Sequence, residues 1–78
     1  MLEKGDVITL EDNIEYTVID KIIVDTTPYY LFINPTNTKD MFIRKELLEN
    51  SNVVISGLDS EQEYNSIIKL FKKRNSLK

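Results

Sequence analysis

The 78-residue chain contains neither cysteine nor histidine. Without cysteine there is no disulfide, no thiolate nucleophile and no thiolate zinc site. Without histidine the commonest general base and the commonest metal ligand are missing as well. Glycine is nearly as scarce, with Gly5 and Gly57 the only two. No P-loop, G-x-G-x-x-G or G-x-S-x-G pattern occurs, which argues against nucleotide binding and against a serine-hydrolase site. Two prolines and no low-complexity segment leave no linker to divide the chain. No run of about 18 apolar residues is available to span a bilayer, and the opening MLEKGDVITL turns acidic and alternating too soon for a signal peptide. A single cytoplasmic domain, 1–78, is expected. A fold of this size buries only roughly 60% of the surface its unfolded chain exposes, so its stability must come from a thin core or from a partner subunit.

Alanine is also absent, while isoleucine, asparagine and lysine abound. That composition fits an AT-rich genome and carries no functional information. Charge is unevenly placed. The formal net charge is −3, yet Lys69, Lys72, Lys73, Arg74 and Lys78 are half of the ten basic residues. Residues 1–68 therefore hold thirteen acidic side chains against five basic ones, a net charge of −8. Such a body repels nucleic acid, whose binding depends on cations that neutralise phosphates.

Five strands and one helix are expected. VITL, within strand 7–10, is β-branched and alternating, and a polar break at Glu11–Asn13 separates it from a longer strand at 15–24, EYTVIDKIIV. In that strand simple alternation puts Tyr16, Val18, Ile22 and Val24 on one face and Thr17, Ile19 and Ile23 on the other. DTTP at 25–28 is turn chemistry. A third strand at 29–34, YYLFIN, leads into NPTNTKD (34–40), which reads as the strongest loop in the chain. A fourth strand is expected at 41–47, although KELLEN (45–50) is ambiguous between strand and a helical or irregular ending. A short fifth strand follows at 53–56.

The last element is the clearest. Ser60 followed by Glu63 is a capping-box pattern, and Tyr64, Ile67, Ile68 and Phe71 recur at helical spacing, so an amphipathic helix is predicted over 61–74. Its apolar stripe should cover one face of the sheet. The fold class is then α+β: a small antiparallel β-meander of four to five strands, open to curling into a partial barrel, with one C-terminal helix. Glu61 and Glu63 near the start of the helix and Lys72, Lys73 and Arg74 near its end suit the helix macrodipole. The cationic tail thus reads first as an ordinary helix finish. The competing use is a polyanion contact by Lys69, Lys72, Lys73 and Arg74.

Other constellations give little. Ser66 and Lys69 match S-x-x-K, but the companion elements of penicillin-binding enzymes are absent and the chain is too short for that fold. Glu11, Asp12 and Glu15 flank a hairpin turn, where carboxylates serve solubility. Asn34, Asn37 and Asp40 lack the spacing and the glycine of a calcium loop. No catalytic, cofactor or metal site is expected, and no small-molecule substrate is evident. Tyr30, Phe32, Phe42 and Arg44 are the more informative group. If the helix covers the face bearing Tyr29, Leu31 and Ile33, then Tyr30 and Phe32 lie on the opposite one, and something must cover them. A curled sheet, a protein interface and a base-stacking platform are the three ways to do so.

The stretches VITLED (7–12), EYTVID (15–20), YYLFINP (29–35), FIR (42–44) and GLDSEQEYNSIIKLF (57–71) together resemble the YrzB-like family of short uncharacterised proteins of low-GC Gram-positive bacteria. The resemblance implies the strand order and the closing helix, and it brings no activity or functional residues. NPTNTKD stands where such proteins carry a long acidic middle, and the tail of this chain is basic. The functional expectation is a non-catalytic cytoplasmic module that binds another protein, or itself, through an uncovered sheet face or an open strand edge. The alternative is a small nucleic-acid-binding accessory protein that uses the basic end of the helix.

Overall fold

A computed structural model describes residues 2–75. Strands β1 (Val7–Thr9), β2 (Glu15–Val24), β3 (Thr27–Asn34), β4 (Asn37–Glu49) and β5 (Asn52–Ser56) form one sheet in the order β1-β2-β3-β4-β5, each antiparallel to the next. The sheet curls into a half-barrel, and helix α1 (Glu61–Asn75) packs on its outer face, so the fold is α+β.

Short connections hold the meander together. The β2–β3 and β4–β5 hairpins each turn on two residues, Asp25-Thr26 and Asn50-Ser51, all four with positive φ (50°, 68°, 49° and 68°). This is the type I′ geometry whose twist matches that of the flanking strands. The third hairpin turns on Pro35-Thr36 alone. Asn37–Asp40, expected as loop, instead belong to β4, with a ladder irregularity beside Asn34 absorbing the extra residues. Once proline has made the turn, backbone groups on either side are free to pair. At its far end β4 runs on through Glu49, so Lys45 to Glu49 of KELLEN are strand and not helix, and Asn50 opens the turn. The ladder from Lys45↔Ser56 to Glu49↔Asn52 supplies the partners that local periodicity cannot show.

A bulge between Val18 and Asp20 corrects the expected faces of β2. The extra residue reverses the alternation, so Tyr16 and Val18 point into the concave face while Ile22 and Val24 face the helix. The same bulge turns Asp20 toward the helix, where it is 1% exposed. Two cores result, one on each side of the sheet. The outer core joins Ile22, Tyr29, Leu31 and Ile43 to Ile67 and Phe71 of α1. The inner core holds Tyr16, Val18, Tyr30 and Phe32, flanked by Leu2, Ile8, Leu10, Phe42 and Ile55.

The helix meets the sheet along the row Glu63, Ile67, Phe71, Asn75, spaced four apart so that all fall on one face. Tyr64, expected in the apolar stripe, is 41% exposed at its margin. Ser60 Oγ accepts the Glu63 amide at 3.0 Å, while Glu63 Oε1 accepts the Asp59 amide at 2.7 Å, a capping box displaced by one residue. No helix among the described residues is long and apolar enough to cross a membrane.

Candidate functional site

Tyr30, Phe32, Phe42 and Arg44, the expected protein interface, lie together on the concave face but do not form an open surface. Tyr30 and Phe32 are both 0% exposed, because the curled sheet and the N-terminal segment enclose them. Tyr30 donates its hydroxyl to Glu46 Oε1 at 2.6 Å and accepts the Leu2 amide at 3.1 Å. Burial first, and then the bond to Glu46, raise its pKa well above the tyrosine norm. Phe42 stacks on Phe32 with centroids 5.2 Å apart and meets Tyr16 edge-on at 4.6 Å. The Arg44 guanidinium lies 5.4 Å over the Phe42 ring and reaches across the concavity to Glu11 Oε1 at 3.3 Å. Glu11 is held below the usual carboxylate range by a backbone amide and by Arg44. Tyr16 completes the enclosure. Its hydroxyl donates to Asp12 at 3.0 Å and to Asp40 at 3.3 Å, and burial followed by the Asp12 bond lifts its pKa to about 12. These four side chains are therefore core and lid.

Of the side chains considered as cation ligands, Glu11 pairs with Arg44, Asp40 accepts the Tyr16 hydroxyl, and three are engaged in turns. Asp12 Oδ1 accepts the Ile14 amide, Asn34 Oδ1 accepts both the amide and the hydroxyl of Thr36, and Asn37 Oδ1 accepts the Lys39 amide. Among the described residues no group of three or more acidic side chains is placed to hold a metal ion. Ser66 and Lys69 are both exposed on the outer surface of α1.

The cationic tail divides in two. Arg74 turns inward and pairs with Asp20 Oδ1 at 3.2 Å, beside Asn75 Nδ2 on Asp20 Oδ2 at 2.8 Å. Lys69, Lys72 and Lys73 stay exposed. Lys39, from the start of β4, meets Lys72 at a groove of about 280 Å³ floored by Leu31, Met41, Phe42, Tyr64 and Ile68. Sequence reading could not pair Lys39 with Lys72, which lie far apart along the chain.

The open feature of the fold is the seam where the half-barrel fails to close. β1 and β5 are the two ends of the sheet and do not pair with each other. Between them runs a groove of about 350 Å³, lined by Leu2, Ile8 and Leu10 on one side, Val53 and Ile55 on the other, and Glu46. That volume lies within the range of ordinary ligand pockets. The apolar lining continues toward the β4–β5 turn, where Leu48 is 74% and Val53 58% exposed, cross-strand partners on the same face. The alternating VITL and VVIS segments contain most of these residues, but only the curl of the sheet brings the two segments face to face.

No family model, curated protein or solved structure matches the chain.

Proposed function

We propose that this protein is a non-catalytic interaction module that binds another protein at the seam between β1 and β5. One observation carries the reading: two open sheet edges flank a groove lined by Leu2, Ile8, Leu10, Val53 and Ile55, and the exposed Leu48 extends that apolar surface beside Val53. An unpaired edge beside exposed apolar side chains is a ready template for another strand, and proteins that do not use such an edge usually blunt it with charge, proline or a bulge. β5 has none of these along Asn52–Ser56. The expected site moves from the buried Tyr30 and Phe32 to the rim of the same concavity. The reading is tested by affinity purification from the native host using the wild-type chain and Val53→Asp, both with nuclease. A stoichiometric protein held by the wild type and lost with Val53→Asp supports the seam. Equal recovery by both refutes it.

A second reading has its own observation. Lys39 and Lys72 flank a groove with Tyr64 between strand and helix, and neither lysine forms an ion pair among the described residues. An accessory nucleic-acid contact there would fall steeply with salt and would be lost when Lys39 and Lys72 become glutamine. The net charge of −8 over residues 1–68 weighs against it.

A further inference from the structure

We propose that the seam is completed by a sixth strand from another protein, a basic extended segment in which apolar residues alternate with lysine or arginine, running antiparallel to both β1 and β5. This rests on the reading of the seam as the binding surface and adds what occupies it.

Strand direction comes first. Because each strand is antiparallel to the next, β1, β3 and β5 all run the same way. β1 and β5 therefore cannot close the sheet on each other as an antiparallel pair. One inserted strand of opposite direction satisfies both edges, and closed up-and-down antiparallel barrels ordinarily hold an even number of strands.

The hydrogen-bonding groups come next. In a two-residue hairpin the residues flanking the turn form a hydrogen-bonded pair, and such pairs alternate along the ladder. With Glu49↔Asn52 closing the turn, Asn52, Val54 and Ser56 bond to β4, and the amides and carbonyls of Val53 and Ile55 face the open edge. On the other side Leu10 bonds to Ile14 and Asp6 to Val18, which makes Ile8↔Tyr16 a bonded pair and leaves Val7 and Thr9 facing outward. Four residues on two edges thus present to the same gap backbone groups that are unpaired among the described residues. Val53 and Ile55 also turn their side chains into the groove, so an incoming strand meets ladder partners and an apolar floor together.

Charge selects the partner. Glu3 and Asp6 precede β1, and Glu11 and Asp12 follow it. Lys21 pairs with Glu3 and Arg44 with Glu11, each at 3.3 Å, so the acidic character rests on Asp6, Asp12 and above all Glu46, which lines the groove and accepts the Tyr30 hydroxyl. Lys4 is the one cation in the sequence between Glu3 and Asp12. A segment with outward lysines or arginines meets this field favourably. A second copy of the chain does not, because the open edge strands it could offer, β1 and β5, carry no lysine or arginine.

The test uses synthetic capped peptides on the whole chain: alternating Lys-Val, alternating Glu-Val, and the Lys-Val peptide with its valine nitrogens methylated. The Lys-Val peptide should slow amide hydrogen exchange at Val7, Thr9, Val53 and Ile55 at least tenfold. The Glu-Val and N-methylated peptides should bind at least tenfold more weakly. The variant Val53→Pro removes an outward amide without touching the β4–β5 ladder and should weaken the Lys-Val peptide similarly. Equal binding of the N-methylated peptide would overturn strand addition, and equal binding of the Glu-Val peptide would overturn the basic partner. Sedimentation of the free protein as a dimer with those four amides already protected would assign the seam to a second copy. If no peptide protects these amides while Val53→Asp still loses its cellular partner, the sixth strand is wrong and the seam reading stands. If neither effect is seen, both fall.

Discussion

Lys45 Nζ on β4 lies 3.1 Å from Glu63 Oε2 in the first turn of α1 and 2.6 Å from Asp59 Oδ2 just before it, so one buried lysine fixes where the helix begins on the sheet. Its partners are unequal. The Glu63 side chain is 21% exposed and also accepts the Tyr29 hydroxyl at 2.7 Å, whereas that of Asp59 is 81% exposed. The bond to Asp59, followed by those to Glu63, raises the Lys45 pKa against the opposing effect of its burial. Replacing Lys45 with methionine fills the same space and leaves Glu63 to Tyr29 and the Asp59 amide. Hydrogen bonds to charged groups contribute about 1.5 to 3 kcal/mol, so Lys45→Met should cost about 2 kcal/mol in urea unfolding. Asp59→Asn should cost less than half as much, because solvent screens that partner. Equal losses would mean that Asp59 is the main anchor.

The same cluster sets the acid limit of stability. Glu63 is held below its ordinary value of 4.5, first by the Tyr29 hydroxyl and then by the Asp59 amide. A depressed folded pKa means that the stabilisation is present above the unfolded value and is lost as pH falls through the folded one. At the alkaline end the sign reverses. Burial first raises Tyr29, Tyr30 and Tyr16, the last from 10.0 to about 12, so the folded state favours the neutral phenols. That stabilisation is complete below about pH 10 and is lost as pH rises through the folded values. Thermal midpoints should therefore be flat between about pH 5 and 10 and fall on both sides. Glu63→Gln should flatten the acid limb, and Tyr16→Phe should shallow the alkaline one.

The sequence was most legible where a pattern is local. Ser60 with Glu63, and Ile67 with Phe71, identified the helix and its buried face, and the alternating segments gave all five strands. Two features were hidden because they depend on partners distant in sequence. The bulge beside Ile19 has no marker in EYTVIDKIIV, since its consequence, Tyr16 and Ile22 on opposite faces, appears only against Phe32 and Leu31. What covers Tyr30 and Phe32 stays open in the sequence, among a curled sheet, a protein interface and a stacking platform, for a related reason. The curled sheet is the outcome, and it brings Leu2, Ile8 and Ile55, distant in sequence, around Tyr30 and Phe32.

The two type I′ turns carry a removable strain. Thr26 and Ser51 each adopt φ of 68°, in the left-handed region that costs an L-residue roughly 1 to 2 kcal/mol and costs glycine almost nothing. Thr26 is β-branched and so the worse fit. Thr26→Gly makes Asp-Gly and Ser51→Gly makes Asn-Gly, the dipeptides most favoured at this turn. After subtracting the greater freedom of glycine in the unfolded chain, each should stabilise by about 0.5 to 1 kcal/mol, with Thr26→Gly the larger. A fall in the urea midpoint for either would show that the side chain makes a compensating contact.

The four basic residues near the end of the helix should separate cleanly in a stability measurement. Arg74 pairs with Asp20 at 3.2 Å, and Asp20 is buried at the β2 bulge, where it also accepts the Lys21 amide and the Asn75 side-chain amide at 2.8 Å each. Removing the guanidinium leaves a buried carboxylate with only neutral donors among these contacts. The Arg74 side chain is 54% exposed, so water replaces part of what is lost and the expected cost of Arg74→Gln is about 1 kcal/mol. Lys69, Lys72 and Lys73 are exposed and unpaired among the described residues, and their glutamine variants should lie within about 0.5 kcal/mol of the wild type. Chemical denaturation of the four single variants decides the matter. A loss confined to Arg74 makes that residue a clamp on the helix end and leaves the three lysines free for any anionic contact. Four equal losses would mean that the macrodipole, and not the Asp20 pair, governs this end of the helix.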